Sequence, residues 1–338
     1  MPVRAFITGV AGLSLSADER AFLRAAEPWG LILFKRNISA PEQVADLVQS
    51  FRDLLGWHAP VLIDQEGGRV QRLAPPEWPA YPSGAKYSEL YDRDPAVGLS
   101  AARLGARLIA SDLYALGIDV DCLPLADLPV PGSDAVIGDR AYGTEPGKVA
   151  AIARAVAQGL LQGGVLPVLK HLPGHGRATA DSHLKLPVVD TDRETLERTD
   201  FAAFRPLADL PLGMTAHVVF SALDPSAPAT TSVTMVRQVI RESIGFEGVL
   251  MSDDISMGAL SGSLTERSRA AIHAGCDVVL HCNGKLAEME EVASAAPVLA
   301  GEAKRRADAA LALRAAPQDF DIAAARGMFA RMIGSATV

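Results

Sequence analysis

The segment GVLPVLKHLPGHG, residues Gly164–Gly176, joins a short apolar run to a loop that is dense in polar side chains. Leu166–Lys170 has the length and composition of a buried parallel strand. Pro173 and the glycines on either side of His175 prevent the next residues from continuing as a helix. A lysine and two histidines are therefore predicted to lie on a loop at the end of a strand.

Seven further apolar runs have the same character and are separated by segments of helical periodicity. The eight predicted strands are Ala5–Val10, Gly30–Phe34, Pro60–Asp64, Val120–Ala126, Leu166–Lys170, Gly213–His217, Gly248–Met251 and Asp277–His281. The predicted helices between them include Pro41–Leu55, Pro95–Leu116, Glu145–Leu161, Arg193–Leu207 and Val233–Ile244. Ser16 with Glu19 and Ser39 with Glu42 have the spacing of helix capping boxes.

Alternation of strand and helix predicts parallel strands joined by right-handed crossovers. Eight such units favour a closed (β/α)8 TIM-type barrel over an open doubly wound sheet. No GxGxxG turn follows the first strand, which argues against a dinucleotide-binding fold. We expect a single catalytic domain over residues 1–338, with a closing helix and a frayed end after about residue 315.

Composition narrows the classes of function. Apolar residues make up 49% of the chain and the net charge is −8. The high apolar content excludes global disorder. The negative net charge argues against nucleic acid or an anionic membrane as a main partner. Three cysteines without a CxxC pair indicate free thiols in a reducing compartment. With no apolar run of membrane-spanning length, we expect a cytoplasmic protein that acts on a small molecule.

Polar residues follow the predicted strands at the end where the active sites of barrel enzymes lie. They are Lys35, Arg36, Asn37, Asp64, Asp127, Lys170, His171, His217, Asp253, His281 and Asn283. Asp253 follows a run that should be buried, where a carboxylate is costly unless it is hydrogen-bonded or used in chemistry. A catalytic role is favoured, although Asp253 or Asp254 could instead cap the next helix.

Asp181 and His183 are two residues apart, so in an extended stretch the carboxylate can contact the imidazole ring. Such a partner sets the tautomer and raises the basicity of an acid/base histidine. His171 and His175 have the spacing of a zinc-binding helix, but the intervening proline and glycine prevent that helix, so no metal site is expected. Lys170 could form a Schiff base, although a hydrogen-bonding lysine is the simpler interpretation.

The cluster DQEGGRVQR, residues 64–72, follows the third predicted strand. Carboxylates accept hydrogen bonds from vicinal hydroxyls and arginine donates in a rigid fork, which suits a polyhydroxylated ligand. The alternative is an internal ion-pair network. We expect Asp64 and Arg72 to contact ligand, Glu66 and Arg69 to brace the loop, and Arg140 to add a donor from another loop.

Six motifs, in this order along the chain, resemble those of the β-N-acetylhexosaminidases of glycoside hydrolase family 3. They are VLIDQEGGRVQRL (61–73), VIGDRAYG (136–143), KHLPGHG (170–176), DSHLKLP (181–187), MTAHVVF (214–220) and GVLMSDDISM (248–257). The combination of KHxPGHG with DSH is highly specific, and Leu172 replaces a phenylalanine that is common in the family. The length resembles the short, single-domain form.

The resemblance implies a retaining glycosidase in which Asp253 is the nucleophile and His183, paired with Asp181, is the acid/base. It also implies a set of residues that bind the N-acetylglucosamine ring, namely Asp64, Arg72, Arg140, Lys170 and His171. The implied substrate is a peptidoglycan fragment, N-acetylglucosamine linked β-1,4 to 1,6-anhydro-N-acetylmuramic acid with or without peptide. No cofactor or metal is implied.

Three points stay open in the sequence. A β-N-acetylglucosaminide phosphorylase or a broader β-glycosidase of the same family would use the same nucleophile. A non-catalytic sugar sensor is disfavoured because Asp181, His183 and Asp253 are all present. Gly174 and Gly176 suggest a mobile loop that carries His183 towards Asp253 only when substrate binds, and His175 has no assigned role.

Overall fold

The computed structural model describes residues 2–334 of the 338-residue chain. Eight parallel strands close into a barrel surrounded by helices, so the predicted (β/α)8 TIM-type fold is confirmed. The strands are β1 (Arg4–Thr8), β2 (Pro28–Leu33), β3 (Val61–Ile63), β4 (Val120–Asp121), β5 (Leu166–Leu172), β6 (Leu212–Thr215), β7 (Val249–Asp254) and β8 (Val278–His281). Each strand pairs with the next along the chain, and β8 pairs with β1.

Alternate residues of each strand enter two different apolar cores. In β7, for example, Val249 and Met251 pack inside the barrel, whereas Leu250 packs beneath the surrounding helices. This follows from the period of two along a strand. Because both faces are buried, the strands appear in the sequence as nearly continuous apolar runs.

Helices follow the strands around the outside of the barrel. They are α1 (Ala17–Ala26), α2 (Pro41–Leu55), α3 (Gly84–Arg93), α4 (Pro95–Tyr114), α5 (Pro146–Gln162), α6 (Arg193–Arg198), α7 (Asp200–Phe204), a π-helix (Met235–Ser243), α8 (Leu264–Ala274), α9 (Leu286–Ala295), α10 (Gly301–Leu311) and α11 (Ile322–Ile333). None of the helices within residues 2–334 is both long and apolar enough to cross a membrane.

One of the two predicted capping boxes is confirmed and the other is wrong. Ser16 accepts a hydrogen bond from the backbone of Glu19, whose side chain accepts from the backbone of Ser16. At α2, Pro41 supplies the first helical residue after Ala40. Ser39 instead donates from its backbone and its hydroxyl to the side chain of Gln43, so it does not cap the helix.

The helix predicted over residues 193–207 is interrupted at Thr199, which separates α6 from α7. Asp200 is buried at this break and accepts hydrogen bonds from Arg177 Nε at 2.6 Å and from the Thr199 hydroxyl at 2.8 Å. The interruption therefore anchors the long loop after β5 to the helical layer. This contact between distant segments is not visible in helical periodicity.

Two short strand pairs lie at the carboxyl ends of the barrel strands. Gln65–Gly67 pairs antiparallel with Val70–Gln71, and Val188–Val189 pairs parallel with Val219–Phe220. The predicted closing helix corresponds to α11, whose Phe329 ring lies 6.5 Å from the ring of Tyr87 on α3. The frayed end that we expected at the C-terminus falls partly on residues 335–338, outside the described part of the chain.

Candidate active site

A cavity of about 440 Å³ opens at the carboxyl ends of the barrel strands. The eight side chains that the sequence predicts as catalytic or substrate-binding all line it. The ends of β5 and β7 and the loops after β3, β4 and β5 contribute them. They are Asp64, Arg72, Arg140, Lys170, His171, Asp181, His183 and Asp253. The structure thus brings into one site residues that lie almost 190 positions apart in the sequence (253 − 64 = 189).

An ion-pair network forms one wall of the cavity around the buried Lys170 ammonium. Its Nζ lies 2.6 Å from Glu66 Oε1 and 3.2 Å from Asp64 Oδ1. Arg72 Nη2 donates to Asp64 at 2.8 Å, and Arg140 donates to both oxygens of Glu66 at 2.8 and 2.9 Å. The expected role of Glu66 as a brace agrees with this geometry. Asp64 lines the cavity, and its contact with ligand stays a prediction.

The network controls the ionisation of its members. Burial raises the pKa of Asp64, but the nearby Lys170 and Arg72 charges outweigh it and hold that pKa below its usual range. Burial alone would lower the pKa of Lys170, yet Glu66 and Asp64 raise it. Lys170 is consequently a protonated hydrogen-bond donor, and the Schiff-base alternative is disfavoured because that reaction requires a neutral amine.

The hairpin after β3 places Arg72. The side chain of Gln65 is buried, and its Oε1 accepts from the backbone of Arg72 and of Leu73 at 2.9 and 3.0 Å. Gly67 has a φ of +93° and lies against the backbone of Pro82, so a side chain at this position would collide. The guanidinium of Arg72 is thereby held beside Asp64 before ligand arrives.

Arg69 braces the same region, as predicted. It donates to Asp139 Oδ1 at 3.0 Å and to the carbonyls of Ala135 and Val136 at 2.8 and 2.6 Å. These bonds tie the loop after β3 to the loop after β4, which carries Arg140. Arg140 lines the cavity, but its guanidinium is already engaged by Glu66 and by the carbonyl of Val136.

Asp127 is the main site residue that our predicted set lacks, although its position after the fourth strand was a usable signal. Its carboxylate is fully buried and contacts His171 Nδ1 at 2.7 Å. The same carboxylate accepts from the backbone of His175 at 2.7 Å. Burial opposes ionisation of Asp127, but the His171 ring outweighs it and lowers the pKa to about 2. His171 therefore presents its Nε2 edge to the cavity in a set orientation.

His175 is a buried residue of the cavity lining and joins the two polar motifs of the loop. Its Nε2 is 2.9 Å from Ser182 Oγ, so the KHLPGHG segment is bonded to the Asp181-Ser182-His183 segment. Burial, reinforced by His171, lowers the pKa of His175 to about 4. The ring is neutral at neutral pH and has a positioning role, which the sequence did not assign.

The predicted pair of Asp181 and His183 is present at the rim. His183 Nδ1 lies 2.7 Å from Asp181 Oδ1, which also accepts from the backbone of His183 at 2.9 Å. Burial raises the pKa of Asp181, but these hydrogen bonds outweigh it and lower the pKa. The side chain of His183 is 64% exposed, and its Nε2 has no hydrogen-bond partner among residues 2–334.

Asp253 is the second-last residue of strand β7, is half-buried and lines the same cavity. Its Oδ1 accepts from the backbone of Asp254 at 2.7 Å, and its Oδ2 makes no hydrogen bond within the described residues. Burial raises the pKa of Asp253, but His217 and His171 outweigh it and lower the pKa. Asp253 is thus an ionised carboxylate with one free oxygen, the state that a nucleophile requires.

The alternative in which Asp253 or Asp254 caps the next helix is wrong. Helix α8 begins only at Leu264 and has its own capping box, formed by Ser263 and Glu266. Asp254 instead accepts from the backbone and the hydroxyl of Ser256, at 3.0 and 2.7 Å, and so stabilises the turn after β7.

Backbone hydrogen bonds hold the His183 segment beside the loop after β7. Gly258 donates to the carbonyl of His183, and Ala259 donates to the carbonyl of Ser182, both at 3.1 Å. Gly176, which we expected to act as a hinge, lies against the backbone of Leu128, where a side chain would collide. Close packing explains this glycine directly, and movement of the loop stays a prediction.

Other polar residues at strand ends have structural partners. His217 contacts Thr230 Oγ1 at 2.7 Å and the carbonyl of Asp254 at 3.0 Å, while His281 contacts Glu288 at 3.1 Å. Within residues 2–334, no three His, Cys, Asp or Glu side chains are grouped in a way that could hold a metal ion.

Comparison with known proteins identifies the family to which the chain belongs. The model of the glycosyl hydrolase family 3 N-terminal domain matches residues 7–312. A Beta-hexosaminidase of Alkalilimnicola ehrlichii is 42% identical over 279 residues, which cover 81% of this chain and 79% of that protein. A Beta-hexosaminidase of Aromatoleum aromaticum is 36% identical, and the match covers 95% of this chain and 90% of that protein.

A solved structure is similar over nearly the whole chain. The crystal structure of NagZ from Neisseria gonorrhoeae in complex with N-trifluoroacetyl-D-glucosamine matches with a TM-score of 0.88 at 32% identity. The match covers 98% of this chain and 99% of that one. That protein binds an N-acylated glucosamine on the same fold.

Proposed function

Because the chain belongs to glycosyl hydrolase family 3 and is a β-hexosaminidase, we propose that it removes non-reducing N-acetylglucosamine by a retaining, covalent mechanism. Asp253 is the nucleophile, His183 is the acid/base and Asp181 is its partner. The proposal rests mainly on one observation: Asp253 and His183 line the same cavity. Asp253 Oδ2 and His183 Nε2 make no hydrogen bond to the described residues.

In the first half-reaction, Asp253 Oδ2 attacks the anomeric carbon of the sugar and forms an ester bond to it. The bond between that carbon and the glycosidic oxygen breaks, and its electron pair goes to the leaving group. The His183 imidazolium donates its Nε2 proton to the departing oxygen and becomes neutral. The ionised Asp181 stabilises the imidazolium and holds Nδ1.

In the second half-reaction, neutral His183 removes a proton from water, and the water oxygen attacks the anomeric carbon. The ester bond to Asp253 breaks and the carboxylate is restored. Two displacements at one carbon retain its configuration. An imidazole serves here in place of the carboxylic acid that most retaining glycosidases use.

Five further side chains are proposed to bind the sugar ring, namely Asp64, Arg72, Arg140, Lys170 and His171. The Asp64 carboxylate can accept from hydroxyls, the Lys170 ammonium can donate, and the Nε2 of His171 can donate or accept according to its tautomer. All five are held by ion pairs or hydrogen bonds to protein partners, so little side-chain entropy is lost on binding.

The proposed natural substrate is a peptidoglycan fragment, N-acetylglucosamine joined to 1,6-anhydro-N-acetylmuramic acid, with or without its peptide. Support comes from the six family motifs and from the N-acylglucosamine bound by the Neisseria structure. The enzyme is proposed to act in the cytoplasm during recycling of cell-wall material, because its three free cysteines are typical of a reducing compartment.

The test compares an aryl β-N-acetylglucosaminide with the matching aryl β-glucoside. The proposal expects release of the aryl alcohol from the first and at least a 100-fold lower kcat/KM for the second, since the acetamido group is missing. Proton NMR at early times should show β-N-acetylglucosamine. An α-product or equal turnover of both substrates would overturn the proposal.

A phosphorylase is the second candidate, since His183 is neutral after the first step and does not repel an incoming anion. The hydrolase proposal expects N-acetylglucosamine as the product in both phosphate and non-phosphate buffers of equal ionic strength. Sugar 1-phosphate as the main product in phosphate buffer would assign the second candidate instead.

A further inference from the structure

A second cavity, of about 350 Å³, lies outside the barrel. It is bounded by α4, by the end of α5 and by the segment from Gln318 to Met332, on elements that take no part in the active site. Its apolar walls are formed by Leu104, Phe320, Met328 and Met332. Two cations of α4, Arg103 and Arg107, also line it, one helical turn apart.

Arg107 is only 5% exposed, yet it has no carboxylate partner among residues 2–334. Its Nη2 donates to the carbonyl of Gln318 at 2.8 Å, and its guanidinium carbon lies 4.2 Å from the centre of the Phe320 ring. Its Nη1 is buried and has no hydrogen-bond partner within the described residues. Burial lowers the pKa of Arg107, and no nearby acidic group raises it.

The other buried arginine among the described residues, Arg52, has an anion beside it, and so does the half-buried Arg241. Arg241 donates to Asp277 at 2.8 Å, and Arg52 lies 3.2 Å from Asp119. A buried guanidinium without a counter-charge is costly, and the cost is recovered when an anion reaches it. Arg107 is therefore a buried cation in the wall of a cavity large enough to admit such an anion.

We propose that this cavity binds a small amphipathic anion, a monocarboxylate with a short aliphatic or aromatic tail. The carboxylate pairs with the exposed guanidinium of Arg103 and lies beside the buried charge of Arg107, and the tail packs on Phe320, Met328 and Met332. Methionine side chains adapt to tails of different shape. Asp319, which also lines the cavity, disfavours ligands with more than one negative charge.

Isothermal titration of the full chain with octanoate tests this proposal, with 1-octanol and acetate as matched probes that lack the charge or the tail. Octanoate should bind with 1:1 stoichiometry and at least tenfold more tightly than either probe. Arg103→Gln should weaken octanoate binding about tenfold, the range for a lost charge-assisted hydrogen bond, and Asp319→Asn should leave it unchanged or tighter. Arg24→Gln, at an exposed arginine outside the cavity, is the control and should bind normally.

Arg107→Gln should abolish binding, but a buried substitution can impair folding. Leu104→Trp therefore provides the second variant, because it fills the cavity from a half-buried position and should also abolish binding. Equal affinity for octanoate and octanol, or unchanged affinity in both Arg103→Gln and Leu104→Trp, would overturn the proposal and leave Arg107 as a hydrated arginine only.

Discussion

Two aspartate–histidine pairs of this protein have the same hydrogen-bond distance but differ in how deeply they are buried. Asp127 and His171 meet at 2.7 Å in the interior, where the carboxylate is fully buried. Asp181 and His183 meet at 2.7 Å at the rim, where the imidazole is 64% exposed. A buried pair holds one orientation, whereas an exposed imidazole can exchange protons with solvent and reach a reacting oxygen. In the proposed roles, burial and not the pairing itself separates the sugar-binding pair from the acid/base pair.

Asp253 is the carboxylate that both imidazoles influence, and its removal should have the largest effect. Asp253→Ala should lower kcat on an aryl N-acetylglucosaminide by about 10⁴-fold or more, as for loss of other nucleophiles. The melting temperature should fall little, since only one backbone donor loses its partner. Stopped assays at high enzyme concentration measure the residual rate, and a loss of under tenfold would contradict the nucleophile assignment.

The two pairs should differ most clearly in how kcat/KM depends on the leaving group once the histidine is removed. His183→Ala should lower kcat/KM by about 10²–10⁴-fold on an alkyl N-acetylglucosaminide, because an alkoxide needs a proton to leave. The loss should be far smaller with a dinitrophenyl leaving group, which departs without one.

The matched variant is His171→Ala. It should reduce kcat/KM by the same factor for both leaving groups, since His171 is proposed to bind the sugar. Equal leaving-group dependence in the two variants would contradict the division of roles between the pairs.

Removing the charge of Asp127 should destabilise the protein more than removing that of Asp181. Asp127→Asn should lower the free energy of unfolding by about 2 kcal/mol, because buried hydrogen bonds to a charged acceptor are lost. Asp181→Asn should change it by under about 1 kcal/mol, as for exposed ion pairs. Urea unfolding followed by circular dichroism measures both, and equal losses would contradict the role of burial.

His175, which links the segments that carry the two pairs, should make stability depend on pH. Its folded pKa of about 4 lies below the ordinary value of 6.5. The unfolded chain therefore binds more protons between these values, and stability falls as pH falls from 6.5 to 4. The slope from this group is at most about 1.4 kcal/mol per pH unit.

Thermal unfolding between pH 4 and 7 tests this dependence with two variants. His175→Gln should flatten the slope, whereas His273→Gln, at an exposed histidine, should leave it unchanged. The same slope in wild type and His175→Gln would show that another group controls it.

The fold was predictable because its signals are local. Each strand is a short run buried on both faces, and polar residues stand at or near the carboxyl end of the run, as Lys170 and Asp253 do. The contact of Asp127 with His171 spans 44 positions and was not predicted, since neither periodicity nor spacing records which loops converge. The break at Thr199 was missed as well, and the residues at it contact Arg177, which is distant in the sequence.

The sequence by itself determined the barrel, the catalytic candidates and the pairing of Asp181 with His183, because these depend on spacing along one strand or one loop. Only the tertiary structure decided which groups are charged and which are held. Lys170 is a protonated donor because the carboxylates of Glu66 and Asp64 lie beside it. His175 is neutral because burial lowers its pKa. Ionisation depends on burial and on charges from other loops, and these are properties of the folded chain.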